Sequence, residues 1–230
     1  MREILIKYIF TWQKGRQAFE IEIDAQTLTL KEKTLLGLPD WTRLDFYQCP
    51  NCPLHADKVP HCPAAVSLIP VVKKFTDVDS GDEMEVEVSL YGRRIIQKAS
   101  ARRAIRSIMG VLFAVSGCPR TRFFKPMVRH HLPLATEDET VLRAVSMYML
   151  AQYFKYQNDS EVDLTLDGLK ELYREIQVVN MTMAERLQAM GGTASSVNAM
   201  ILLDMYAQAI PSAIEYSLFD LKYLFDSYID

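Results

Sequence analysis

The chain has 230 residues, about half of them apolar, and a net charge of −3 at pH 7. That is enough to bury a large core in one domain or two small ones, and it excludes a strongly basic protein that coats nucleic acid. No apolar run approaches the roughly 18 residues that a membrane span needs, and the N-terminus MREILIKYIFTWQKGRQ is too charged and strand-like for a secretory signal, so the expected location is cytoplasmic with no membrane partner.

Glu3 to Thr11 alternates around Ile4, Ile6, Tyr8 and Phe10, and Lys14-Gly15 predicts a turn into a second strand over Ala18 to Ile23. Thr27 to Leu30 predicts another short strand. A cysteine-bearing loop follows, then a short helix over Ala64 to Phe75 that opens after Cys62-Pro63 and is expected to kink or end at Pro70. Met84 to Ile96 alternates as one long strand interrupted near Gly92.

From Ser100 the apolar period changes from two to about 3.6. Ser100 is the expected cap of a helix with Ile105, Ile108, Met109, Leu112 and Phe113 on its apolar face, ending near Gly117. Thr136 and Glu139 form a capping box that opens a helix reaching Tyr153. Further helices are expected from Thr165 to Met190, stopping at Gly191-Gly192, from Ser195 to Gln208, and from Pro211 to Tyr228. The expected fold class is α+β, with an N-terminal antiparallel β meander carrying the cysteine loop (1–98) and a C-terminal bundle of about five helices (99–230), joined as one integrated domain.

All four cysteines, Cys49, Cys52, Cys62 and Cys118, are followed directly by proline. Proline fixes its own φ and pushes the preceding residue into extended conformations, so each thiol sits on stiff, non-helical backbone. In a reducing compartment such thiols read as metal ligands rather than as two disulfides, and a centre binding all four would join the β portion to the bundle. The spacing C-x2-C-x9-C-x55-C is compatible with zinc, which is favoured, and with an iron-sulfur cluster. Plain burial of the thiols without any metal is the third reading. His55, His61, His130 and His131 lie near the cysteines or in the basic segment and rank below the cysteines as ligands.

Between Tyr91 and Ala135 there are ten Lys or Arg residues and no Asp or Glu, and this segment brackets Cys118. Its charge can offset that of a thiolate centre. It can also serve an anionic ligand, with Arg102, Arg103 and Arg106 near a helix N-terminus and Arg129 and His131 further on. A nucleic-acid-binding module is not favoured, because neither an RNP sequence nor a GXXG loop accompanies the patch. The G-x-S-x-G, P-loop, H-E-x-x-H and GxGxxG signatures are all missing, so the sequence names no reaction. The leading expectation is a metal- or cluster-binding protein with a structural or sensing role and protein partners. The enzymatic alternative uses the metal centre or a reactive thiol at Cys118, which Arg129, His130 and His131 could activate, with Arg129 and His131 orienting an anionic substrate.

The segments CPNCPL, HCPAAVSL, SGCPRTRFFKPMVRHHLPLATEDET and MYMLAQYF resemble a family of uncharacterised bacterial proteins, a domain of unknown function, over about Leu44 to Tyr156. That resemblance implies a bacterial, cytosolic, single-domain protein and treats the four cysteines as a set, but brings no activity or cofactor with it. The C-x2-C-P-L segment is also similar to the cluster-binding loop of family 4 uracil-DNA glycosylases, yet nothing like their catalytic motifs follows.

Overall fold

The computed structural model describes residues 3–31, 37–191, 207–208, 210–214 and 218–229. Strands β1 (Glu3–Trp12), β2 (Gly15–Asp24), β3 (Glu83–Leu90) and β4 (Arg93–Ser100) form one antiparallel sheet in the order β2-β1-β3-β4. The period-two alternation puts one set of side chains on one face: Ile4, Ile6, Tyr8 and Phe10 of β1 are buried with Phe19, Ile21 and Ile23 of β2 and Met84, Val86 and Val88 of β3. The edge strand β4 is exposed from Arg93 to Lys98, and its charges pair across to β3 through Arg94–Glu87 and Lys98–Glu83.

Two strand expectations change. Met84 to Ile96 is not one strand but the β3–β4 hairpin, turning at Tyr91 (φ 51°) and Gly92 (φ 74°). Two positive-φ residues make the primed turn that matches strand twist, and Tyr91 is an unusual occupant of the first position. Thr27 to Leu30 is reduced to a bridge between Ile23 and Leu30, because the Asp24 carboxylate accepts from the Gln26 and Thr27 amides and curls the chain into a turn.

Helix α1 (Pro63–Lys74) and helix α2 (Ala101–Val115) cover the apolar face of the sheet. Proline at the first position of α1 suits its missing N–H. Pro70 neither ends α1 nor needs to: Leu68, Ile69, Val71 and Val72 around it are buried, and this burial offsets the one lost backbone bond. Ser100 is the N-cap of α2, but its side chain makes no capping bond.

The rest is helical: α3 (Lys125–Arg129), α4 (Glu137–Gln157) and α5 (Asp167–Ala189), then helical turns at 207–208 and 210–214, a 3-10 segment Leu218–Phe225 and a short helix Asp226–Ile229. The capping box of α4 is present in both directions between Thr136 and Glu139. The helices of the second half slightly exceed the expected five, since α3 had no counterpart in the sequence reading. Most of the helix expected over Ser195 to Gln208 lies outside the described residues. The one expected over Pro211 to Tyr228 is replaced at Leu218–Phe225 by the tighter 3-10 form.

Two cores result. The larger lies between the sheet, α1 and α2, and takes in Met183 and Leu187 of α5; the smaller joins Val141 and Ala144 of α4 to Leu169, Tyr173 and Ile176 of α5, with Ala207 and Ile210. Helix α5 therefore runs through both. Among the described residues no helix is long and apolar enough to cross a membrane.

Tyr91→Asn relieves a left-handed tyrosine in the β3–β4 turn and is expected to stabilise the chain by about 0.5–1 kcal/mol, read as a higher urea midpoint with an unchanged slope.

Candidate functional site

Cys49, Cys52, Cys62 and Cys118 all line one small enclosed cavity of about 20 Å³, together with Arg120, Arg186 and apolar side chains including Leu44 and Met183. Three chain segments deliver them. Cys49-Pro50-Asn51-Cys52 is a tight turn closed by the Cys52 amide on the Cys49 carbonyl at 2.9 Å, with proline at the second position, where its fixed φ is favoured. Cys62 is the N-cap residue of α1 and donates its amide to the Thr42 carbonyl at 2.7 Å. Cys118 follows α2 through Gly117, whose φ of +91° suits only glycine and which packs close to Pro63, the residue after Cys62.

The walls are set by α5. Glu175, Val179, Thr182 and Arg186 follow one another at 4-3-4 spacing, which is one stripe of a helix. The Asn51 side-chain amide donates to both the backbone and the carboxylate of Glu175, and Arg120 bridges the Glu175 carboxylate at 3.1 Å and the Asn51 carbonyl at 2.6 Å. The Thr182 hydroxyl faces Cys49. Arg186 is 1% exposed and donates to the carbonyls of Trp41 (2.9 Å), Arg43 (2.7 Å), Leu44 (3.5 Å) and Tyr47 (2.9 Å).

Burial pushes the Cys49 thiol up to about 12, and Cys62, Cys118 and Cys52 raise it further by repelling a second negative charge. Burial also raises Cys118, against the lowering effect of the neighbouring Arg120 and Thr121 backbone amides, of which that of Thr121 donates to the Cys118 carbonyl at 3.2 Å. Amides near a cysteine sulfur favour the thiolate. Burial lowers Arg186, while Cys62, Cys49 and Cys52 hold its charge in place. All four cysteines are free thiols. Among the described residues, no three His, Cys, Asp or Glu side chains are drawn together as a set that could hold a metal ion. The thiols thus share a cavity without converging on one point.

A family described as a domain of unknown function, DUF6901, matches residues 6–226. The chain belongs to this family. No curated protein and no solved structure matches it. For a DUF6901 domain, function must therefore be argued from the side chains themselves.

The basic segment does not form one patch. Arg102 is exposed on the first turn of α2, while Arg103 and the buried Arg106 donate to the carbonyls of Leu134 and Ala135 at 3.2 and 3.1 Å. Lys125 and Arg129 reach the carbonyls of Thr27 and Ala25. These bonds tie the 118–135 stretch to α2 and to the turn after β2. His131 is half-buried, accepts or donates at Nε2 to the Tyr8 hydroxyl at 2.5 Å, and lines a different cavity from Cys118. His61 pairs through Nδ1 with Thr42 at 2.8 Å. Sequence reading missed Arg186, Thr182, Glu175 and Arg120. The signal was present in the α5 stripe, where a 4-3-4 spacing that normally carries apolar side chains carries two charged ones and a threonine.

Arg186→Met is expected to destabilise by roughly 2–4 kcal/mol, since several carbonyls lose their donor at once, and Arg186→Lys is not expected to rescue it because one ammonium lacks the planar fork; urea unfolding of the two variants checks this. Burial pushes His131 down to about 3, and Arg143 lowers it further, with Tyr8 and Ser107 as its polar surroundings. The unfolded chain therefore binds a proton on this residue near pH 6.5 that the folded chain refuses, and stability falls as pH drops from about 6.5 towards 3. Relative to His131→Gln, the native protein should lose about 2 kcal/mol more on going from pH 7 to pH 5, measured as the difference in unfolding free energy at the two values.

Proposed function

We propose that this domain holds a metal centre on Cys49, Cys52, Cys62 and Cys118, zinc in preference to an iron-sulfur cluster, and that the centre has a structural or sensing role. The observation that carries this reading is that four proline-backed thiols from three separate segments border one cavity of about 20 Å³. That space admits a single ion and no organic substrate. It favours zinc over a cluster, which brings several iron and sulfide atoms with it.

The electrostatics support the same reading. Four thiolates around zinc carry about −2, and Arg186 and Arg120 stand in the cavity wall to offset it. The backbone amides of Arg120 and Thr121 lie beside Cys118 and favour its thiolate. In the metal-free protein the raised Cys49 and Cys118 are protonated thiols, which are poor nucleophiles at neutral pH. A metal must displace those protons, so affinity falls as pH falls.

The test is metal analysis with an absorption spectrum on protein purified without oxygen. About one zinc per chain and no visible band is the expected result, whereas iron with sulfide and absorption near roughly 400 nm would assign a cluster instead. Zinc added to the metal-free protein should release protons and bind more weakly at pH 6 than at pH 8. Cys118→Ser should lower both metal content and thermal midpoint. Protein that contains no metal, takes up none, and is as stable with serine at position 118 would overturn the proposal.

A further inference from the structure

A larger cavity of about 170 Å³ lies where the two cores meet, bounded by α2, α3, α4 and α5. Its wall is mostly apolar, with Val111, Phe124, Val128, Leu134 and Ile176 prominent. Two polar groups stand out against that wall. Tyr173 is 3% exposed and, among the described residues, its hydroxyl has no hydrogen-bond partner. Arg143 shares the cavity and is close enough to Tyr173 for each to influence the other's charge.

A buried hydroxyl left unpaired is costly and rare in native proteins, so its presence in a cavity wall calls for an occupant that satisfies it. The occupant's charge follows from the surroundings. Among the described residues that line this cavity there is no Asp or Glu, and Glu139, whose charge bears on Arg143, is engaged with the Thr136 amide in the capping box of α4. The Arg143 guanidinium is held in place by the carbonyls of Met127 and His130 at 2.8 and 3.3 Å, and no carboxylate among the described residues bonds to it. His131 contributes no charge, being held neutral by burial.

An open groove shares His131, Leu132 and Arg143 with the cavity and carries Arg93, Arg129 and His130, again with no acidic residue among those described. Such a groove draws anions towards the inner site.

We propose that this cavity binds a small apolar carboxylate, whose two oxygens meet the Arg143 guanidinium and the Tyr173 hydroxyl while its hydrocarbon body fills the apolar wall. The size fits: an apolar cavity of about 150 Å³ accommodates benzene. A compact polar anion such as phosphate would leave that wall unfilled, and a nucleotide is too large. The site is separate from the thiol cavity and does not depend on any metal there.

The experiment is calorimetric titration of the full chain with benzoate and hexanoate, with benzyl alcohol as the uncharged counterpart and inorganic phosphate as the compact anion. At least one of the two carboxylates should bind, and both controls should bind at least about tenfold more weakly. Tyr173→Phe, which removes only an unpaired hydroxyl, should keep the native thermal midpoint and weaken the bound carboxylate about tenfold. Arg143→Gln should weaken it at least as much. The proposal is overturned if neither carboxylate binds at 10 mM, roughly the weakest affinity a site of this kind would show. It also fails if benzyl alcohol or phosphate binds as tightly as the carboxylate, or if Tyr173→Phe leaves the affinity unchanged.

Discussion

The guanidinium of Arg186 is the constraint on which the cysteine region rests. One buried cation gathers the carbonyls of residues 41, 43, 44 and 47 and so fixes the path of an otherwise irregular loop. That loop does two things at once. It leads directly into the Cys49–Cys52 turn, and its other edge pairs with the segment before α1, through Thr42 with Cys62 and Leu44 with Pro60. Three of the four thiols are therefore positioned by a side chain far along the sequence. Buried backbone carbonyls need donors, and here a single planar fork supplies them where no regular sheet or helix can.

Helix α5 links this arrangement to the rest of the molecule. Its polar stripe faces the cysteine turn, while Leu169, Tyr173 and Ile176 pack into the smaller core, and Met183 and Leu187 enter the larger one. The helix needs no unusual propensity for this; it needs different chemistry on different faces. Tyr173 illustrates the division, with its ring edge-on to Phe123 and Phe124 in the apolar layer while the residue also lines the cavity.

Much of the fold was legible because periodicity reports burial directly. The alternation at Ile4, Ile6, Tyr8 and Phe10 and the 3.6-residue spacing of α2 and α5 each correspond to a buried face, whereas α4, legible from its capping box, buries only Val141, Ala144 and Gln152 and leaves Tyr153 exposed. The hairpin turn was not legible, since tyrosine in a left-handed conformation gives no turn signal and Gly92 alone read as an interruption. Nor was the persistence of α1 through Pro70, where packing on the sheet outweighs a local breaker. The four cysteines border one cavity, but among the described residues they do not converge into a set that could hold a metal ion, and their shared proline context carries no information on that distance. The loss of a continuous basic patch was not legible either: whether Arg103, Arg106 and Arg129 face solvent or bond to carbonyls depends on which backbone groups the fold leaves unpaired, and no local pattern encodes that.

The span between the Tyr47 carbonyl and Arg186 is 139 residues. A ribosome therefore releases the cysteine turn, the sheet and α2 well before it makes the side chain that shapes the loop. Until α5 emerges and docks, the thiols belong to a region that lacks its non-local contacts with Arg186 and Glu175, and closure over such a distance is slow compared with local helix formation. Maturation of this region is thus tied to completion of the chain. A nascent chain arrested before α5 would have a folded sheet and unprotected cysteines.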